Sequence, residues 1–173
     1  MNILRKYKFV FFIMSFVALT PLAYSSAGFL RDFDGTYHAL NEYTGKGKWL
    51  IVMIWASDCS VCNKEAHQYV EFHTKHQLQD ATVLGISLDG YQNKANAQEF
   101  IKKHSVNFPN LIDDPESIAS MYNQLTGGTW YGTPTFLIYN PEGKLMVQQV
   151  GAVPAKLIEE FIAQESGNST KSN

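Results

Sequence analysis

The longest uninterrupted apolar stretch after residue 28 is Trp49 to Trp55, reading WLIVMIW. A run of this length with no polar alternation is how a strand covered on both faces reads. The pattern then turns helical from about Val61 to Leu78, with Ala66, Tyr69, Val70 and His73 on one side. Ala81 to Leu88 reads as the next strand, and Asn93 to His104 as a helix with Ala97, Phe100, Ile101 and His104 on one face. Asp114-Pro115 places a capping residue before a first-turn proline and opens a helix to about Tyr122. Thr135 to Tyr139 and Lys144 to Val150 are strands joined by Asn140-Pro141-Glu142-Gly143, a sequence suited to a tight turn. Pro154 starts a last helix whose apolar side is Leu157, Ile158, Phe161 and Ile162. Upstream, Asp34-Gly35 lies between two short extended pieces of Phe29 to Leu40 and predicts a hairpin.

Strands alternating with helices, closed by a hairpin and a helix, predict an α/β domain built on a central mixed sheet flanked by helices. Residues 28–164 form that single domain, and residues 165–173 are a polar tail expected to be mobile. Asn168-Ser169-Thr170 in the tail is a formal glycosylation triplet, a pattern common by chance.

The first 27 residues stand apart from this scheme. Arg5, Lys6 and Lys8 precede an apolar run from Phe9 to Leu19, and Ala23-Tyr24-Ser25-Ser26-Ala27 follows. That order of charge, apolar run and small residues is the layout of a signal peptide, here with cleavage after Ala27. Left uncleaved, the same segment is an N-terminal membrane anchor. Either outcome places the remainder outside the cytoplasm, in the periplasm or beyond. The chain's net charge is −2, and the part after residue 27 carries 11 basic and 16 acidic side chains. No basic surface advertises nucleic acid or an anionic membrane.

Two cysteines are the whole supply, which excludes a multi-disulfide scaffold and an all-cysteine zinc site. They form Cys59-Ser60-Val61-Cys62, where the apolar strand gives way to a helix. At a helix start Cys59 faces unpaired backbone N–H groups and the positive end of the dipole, which favour thiolate, the attacking species in disulfide exchange. Cys62 lies about one turn further on, close enough for a disulfide. Three other readings compete with redox chemistry. A purely structural disulfide here closes a tiny loop and gains little. Covalent haem attachment needs a histidine where Asn63 stands. A metal needs further ligands, and His67, His73 and His76 are not placed to join Cys59 and Cys62.

Trp55-Ala56-Ser57-Asp58-Cys59-Ser60-Val61-Cys62 resembles the active-site segment of the thioredoxin superfamily, and Gly132-Thr133-Pro134-Thr135-Phe136 resembles its cis-proline segment. With Cys62-Asn63-Lys64-Glu65 added, the chain is most similar to the TlpA/ResA/CcmG (DsbE) group of exported thioredoxin-like proteins, over about Phe29 to Ile162. The resemblance implies a thioredoxin-like fold with an inserted strand–helix unit, part of it within Asn93 to Asp114. It implies a thiol–disulfide oxidoreductase with Cys59 as nucleophile and Cys62 as resolving thiol. Glu65 would exchange a proton with Cys62, although a first-turn glutamate is also favoured by the helix dipole alone. Thr133, cis-Pro134 and Trp55 would contact substrate. The expected partners are protein dithiol or disulfide clients and a membrane or periplasmic electron-exchange partner. No cofactor and no metal are expected.

The sequence also departs from the group's pattern. Met53 occupies the strand position where thioredoxin has a buried aspartate, so that proton relay is absent. Asp58 precedes Cys59 where an aromatic residue is usual, and a carboxylate there opposes thiolate formation. Trp130 and Tyr131 either form a substrate-contacting rim or pack their loop down. The direction expected is reduction of client disulfides. A thiol peroxidase, and a binding or metal-delivery module without turnover, are the alternatives. Arg31, the sole arginine after the leader, argues against the first of these.

Overall fold

The computed structural model describes residues 29–171. Seven strands form one sheet: β1 (Phe29–Arg31), β2 (Tyr37–Ala39), β3 (Trp49–Trp55), β4 (Ala81–Ser87), β5 (Asn110–Ile112), β6 (Thr135–Tyr139) and β7 (Leu145–Val150). Their spatial order is β2-β1-β5-β4-β3-β6-β7. β3 pairs parallel with β4 and antiparallel with β6, which makes the sheet mixed as its sequence predicts.

Among the described residues four α-helices cover it: α1 (Ser60–His76), α2 (Lys94–Lys103), α3 (Pro115–Thr126) and α4 (Ala155–Lys171). Trp49, Ile51, Met53 and Trp55 point from β3 into a core shared with α1, α2 and α4. Leu50, Val52 and Ile54 point into a second core with Ile118, Met121 and Tyr122 of α3. That division explains the unbroken apolar run, since successive strand side chains alternate faces and here each face meets helices.

Hairpin β1–β2 turns at Asp34-Gly35, where Asp32 Oδ1 accepts the Asp34 and Thr36 N–H groups and Gly35 takes φ 96°. The β6–β7 turn is closed by Asn140 Oδ1, which accepts the Lys144 N–H at 2.8 Å. Asp114 caps α3 in position only, for its side chain makes no capping bond.

Two helix ends and one strand differ from the sequence reading. α3 runs a turn beyond Tyr122 and ends at Gly127, whose φ of 70° suits glycine. α4 continues past Gln164 to Lys171, so the polar tail is helical over residues 165–171; the remaining positions, 172–173, lie outside the described residues. β5 has three residues, too few to carry a periodicity, so the sequence predicts no strand there. It joins the N-terminal hairpin to the rest by pairing with β4 on one side and β1 on the other. The leader, residues 1–27, also lies outside the described residues. Among the described residues no helix is long and apolar enough to cross a membrane.

Candidate active site

β3 ends at Trp55, and the chain then crosses the top of the sheet to enter α1 at Ser60. Cys59 is the N-cap residue of α1, with φ −70° and ψ 109°. It is disulfide-bonded to Cys62, with the two Cα atoms 5.2 Å apart. The Cys62 backbone N–H donates to Cys59 Sγ at 3.1 Å, so sulfur fills the place usually taken by a capping oxygen. Cys59 is partly exposed, whereas Cys62 is 0% exposed.

The loop between strand and helix is held from two sides. Asp89, just beyond β4, accepts the Ser57 N–H at 3.2 Å and the Ser57 hydroxyl at 2.6 Å, while the Ser87 hydroxyl donates to its other oxygen. From the helix side, Asn63 Nδ2 donates to the carbonyl oxygens of Ser57 and Cys59 at 2.9 and 3.0 Å.

Glu65 lies three residues past Cys62, on the same side of α1. Burial pushes its carboxyl above the usual carboxylate range, offset in part by hydrogen bonds from Val153 and Gln68. The Val153 N–H donates to Glu65 Oε2 at 3.4 Å, and the Val153 carbonyl accepts the Tyr69 hydroxyl at 2.6 Å. Two α1 side chains thus grip the segment that leads from β7 into α4.

Thr133-Pro134 is a cis peptide. Pro134 is buried, Thr133 is partly exposed, and the Pro134 carbonyl accepts the Gly151 N–H at 2.8 Å. The preceding loop divides its two aromatics. Trp130 packs against the second core with Nε1 donating to Thr135 Oγ1, and Tyr131 stands 81% exposed.

Trp55 requires a correction. It is 1% exposed, stacks on Phe100 with ring centroids 4.2 Å apart, and donates from Nε1 to Asn110 Oδ1 at 3.0 Å. A ring so enclosed offers no face to a docked substrate; it supports the loop from beneath. Met53 is likewise buried, at 2% exposure.

The histidines do not converge on the cysteines. His67 pairs with Glu71, His73 accepts the Val83 N–H, and His76 lies between Asp80 and Glu159. Among the described residues no group of three or more His, Cys, Asp or Glu side chains is arranged to hold a metal ion.

Sequence reading missed Asn63 and Asp89 as parts of the site. In the sequence Asn63 excludes haem attachment and forms part of the Cys62-Asn63-Lys64-Glu65 motif, but nothing there marks its side chain as a loop anchor. Asp89 had a usable signal, because it follows the carboxyl end of a central strand, where α/β sheets place their functional groups.

The family model described as AhpC/TSA family matches residues 26–148. The chain belongs to the AhpC/TSA family. Among relatives of this AhpC/TSA chain, sporulation thiol-disulfide oxidoreductase A of Bacillus subtilis is 26% identical over 117 residues, which cover 67% of each protein. Thiol-disulfide oxidoreductase ResA of Bacillus subtilis is 26% identical over 137 residues, 77% of this chain and 69% of ResA. Among solved structures, a secreted Mycobacterium tuberculosis disulfide oxidoreductase, described as homologous to E. coli DsbE, superposes with a TM-score of 0.62. It is 21% identical, over 80% of this chain and 96% of that one. The fold is thioredoxin-like. Fold, relatives and the Cys59–Cys62 disulfide make this AhpC/TSA member a thiol–disulfide oxidoreductase.

Proposed function

We propose that this oxidoreductase works outside the cytoplasm as a reductase of protein disulfides, with Cys59 as the attacking sulfur and Cys62 as the resolving one. The observation that carries the assignment is the asymmetry of the pair. Cys59 is partly exposed at a helix N-terminus with an N–H directed at its sulfur, and Cys62 is wholly buried behind it. An external disulfide can reach only the first.

In the working direction, Cys59 thiolate attacks a client disulfide, forming the mixed disulfide and releasing the client's first sulfur as thiolate. Cys62, deprotonated, then attacks Cys59 Sγ, closing the Cys59–Cys62 disulfide and releasing the second client sulfur. Glu65 is the proposed acceptor of the Cys62 proton. Its pKa, raised by burial, brings it closer to the working pH than an ordinary glutamate. Thr133, partly exposed beside the buried Pro134, is the proposed backbone contact for an extended client segment. The cycle needs an electron-exchange partner to return the disulfide to dithiol. Export rests on the leader's order of Arg5, Lys6 and Lys8, apolar run and small residues.

Arg31 does not favour the peroxidase alternative. It is paired with Asp113 and lies over the rings of Tyr37 and Tyr91. The test is equilibration of the domain after residue 27 with glutathione buffers. A potential at or below the glutaredoxin range, about −200 to −230 mV, supports the reductase; a value near −120 mV reverses the direction. Cys62→Ala should accumulate mixed disulfides with clients through Cys59. Absence of any such adduct counts against protein substrates.

A further inference from the structure

We propose that Asn63 is a positioning residue for Cys59, held at its post by Lys103 and His104 at the end of α2. The inference rests on the reading of Cys59 as the attacking sulfur and adds to it a control running from a helix that carries no reacting group.

The side-chain amide of Asn63 has two N–H donors and two oxygen lone pairs, and all four are used. Nδ2 donates to Ser57 O at 2.9 Å and to Cys59 O at 3.0 Å. Oδ1 accepts from Lys103 Nζ at 3.0 Å and from His104 Nε2 at 2.9 Å. The amide orientation is fixed by Lys103, which can only donate, and by the two carbonyls, which can only accept; His104 Nε2 then donates in the matching tautomer.

The two carbonyls it holds lie on either side of Asp58 and Cys59, so Asn63 fixes the peptide planes that lead into the N-cap. The N-cap conformation directs the Cys62 N–H at Cys59 Sγ. Lys103 and His104 act on the far end of the same chain of hydrogen bonds. Donation into Oδ1 polarises the amide and strengthens what Nδ2 gives to the carbonyls. Lys103 is exposed, but His104 is partly buried and packs on Phe100 with ring centroids 4.5 Å apart. Phe100 in turn stacks on Trp55, the last residue of β3. Displacement of α2 is therefore felt at each end of the segment that presents Cys59.

Asn63 also ties α2 to α1, so a purely structural role is the competing account. The two are separated by measuring the Cys59 thiolate in the reduced protein, from its ultraviolet absorbance against pH, and the dithiol–disulfide equilibrium with glutathione. Neither measurement requires a client. Asn63→Ala is expected to raise the Cys59 pKa and to shift the glutathione equilibrium toward the protein disulfide by about tenfold, which is about 30 mV for a two-electron couple. His104→Phe keeps the ring packing and deletes one donor to Oδ1, and is expected to shift both quantities the same way by less. A folded Asn63→Ala protein with wild-type thiol pKa and equilibrium overturns the proposal, even if its melting temperature falls. Should Asn63→Ala not fold, wild-type values in His104→Phe overturn it. Failure of the underlying reading looks different: Cys59 of the wild-type protein would itself not exchange with glutathione.

Discussion

The backbone N–H of Cys62 donates to the Sγ of Cys59 across 3.1 Å, so one residue of the redox pair caps the helix that carries the other. When the disulfide opens, this N–H and the end of α1 face a sulfur free to ionise, and they favour the thiolate. A stabilised thiolate makes the reduced state more stable and the protein more oxidising.

Asp58 opposes that effect. It is exposed and immediately precedes Cys59, so its charge is close to the sulfur but screened by water. Two unit charges about 4 Å apart in water interact by roughly 1 kcal/mol, and about 1.4 kcal/mol is one pKa unit. Asp58→Asn is expected to lower the Cys59 pKa by about half a unit at low salt, and less at high salt. Titration of the reduced protein at two ionic strengths checks this. An unchanged pKa at low salt would show that Asp58 does not act on the sulfur.

Glu65 is predicted to trade stability for proton transfer. Its folded pKa is raised, first by burial. A carboxyl of that kind stabilises the fold while protonated and loses the contribution as pH rises through its folded pKa. Glu65→Gln should therefore melt higher than wild type at neutral pH, and the advantage should vanish under acid conditions where wild-type Glu65 is protonated. The same variant should slow closure of the Cys59–Cys62 disulfide by about 100-fold, the low end for positioned proton transfer. Melting in the oxidised state and stopped-flow oxidation of the reduced protein measure the two effects. A variant with unaltered closure kinetics would leave Glu65, which lies beyond the first turn of α1, as no more than the acceptor of the Val153 N–H.

The sequence made the disulfide-bonded pair legible because its signal is local. Cys59 and Cys62 announce themselves by spacing and by their place after β3, and Thr133-Pro134 by its neighbours. The sheet was legible for a related reason: WLIVMIW has only one good explanation, burial on two faces. The grip on the catalytic loop was not legible, because it is made across the chain. Ser57 meets Asp89 from β4, and Asn63 meets Lys103 and His104 from α2. Nothing in the run Cys62-Asn63-Lys64 shows that its amide will find two donors forty residues away. Trp55 failed for the opposite reason. Its motif position suggested a surface role, while the depth of a residue beneath a sheet's end depends on what packs over it, here Phe100 and Asn110.

His73 and His38 give the fold opposing responses to acid. His73 is 4% exposed, and burial holds its pKa below the ordinary histidine value. Its Nδ1 accepts the Val83 N–H at 3.2 Å, a bond that protonation at that nitrogen removes. The unfolded chain binds this proton more readily, so stability present above about pH 6.5 is lost as pH falls through that value toward the folded pKa. His38 has the reverse sign. Its hydrogen bond with Glu42, and then that with Asp32, raise its pKa, so its contribution is full below about pH 6.5 and is lost as pH rises through the folded value. His73→Leu should cost about 1–3 kcal/mol at neutral pH by taking the acceptor from a buried N–H, and should flatten the decline below about pH 6.5. His38→Gln should leave that decline unchanged and instead abolish a gain in stability as pH falls toward about 6.5 from above. Urea unfolding across this range decides the matter, and parallel profiles for His73→Leu and wild type would remove His73 as the acid-sensitive group.

Gly85 is set by the hydrogen bond that passes over it. It lies on β4 between Met53 of β3 and Asn110 of β5. A Cβ at this position would fall on Asn110 Oδ1, far inside contact distance, and 2.9 Å from Trp55 Nε1. Those two atoms are the acceptor and the donor of the bond that anchors the buried indole. Gly85→Ala must therefore push Asn110 aside and leave the Trp55 N–H without that acceptor. Overpacking costs about 1–3 kcal/mol, and an unsatisfied buried donor about 1–3 kcal/mol, so a loss of about 2–6 kcal/mol is expected. Asn110→Ala alone removes the acceptor but creates no clash, and should cost less. In the double variant the methyl group of residue 85 meets no amide, so its cost should fall well short of the sum of the single costs. A double-mutant cycle in urea measures this directly. Additive costs would mean that the methyl is resisted by something other than Asn110, and that the Trp55–Asn110 bond is not why position 85 is glycine.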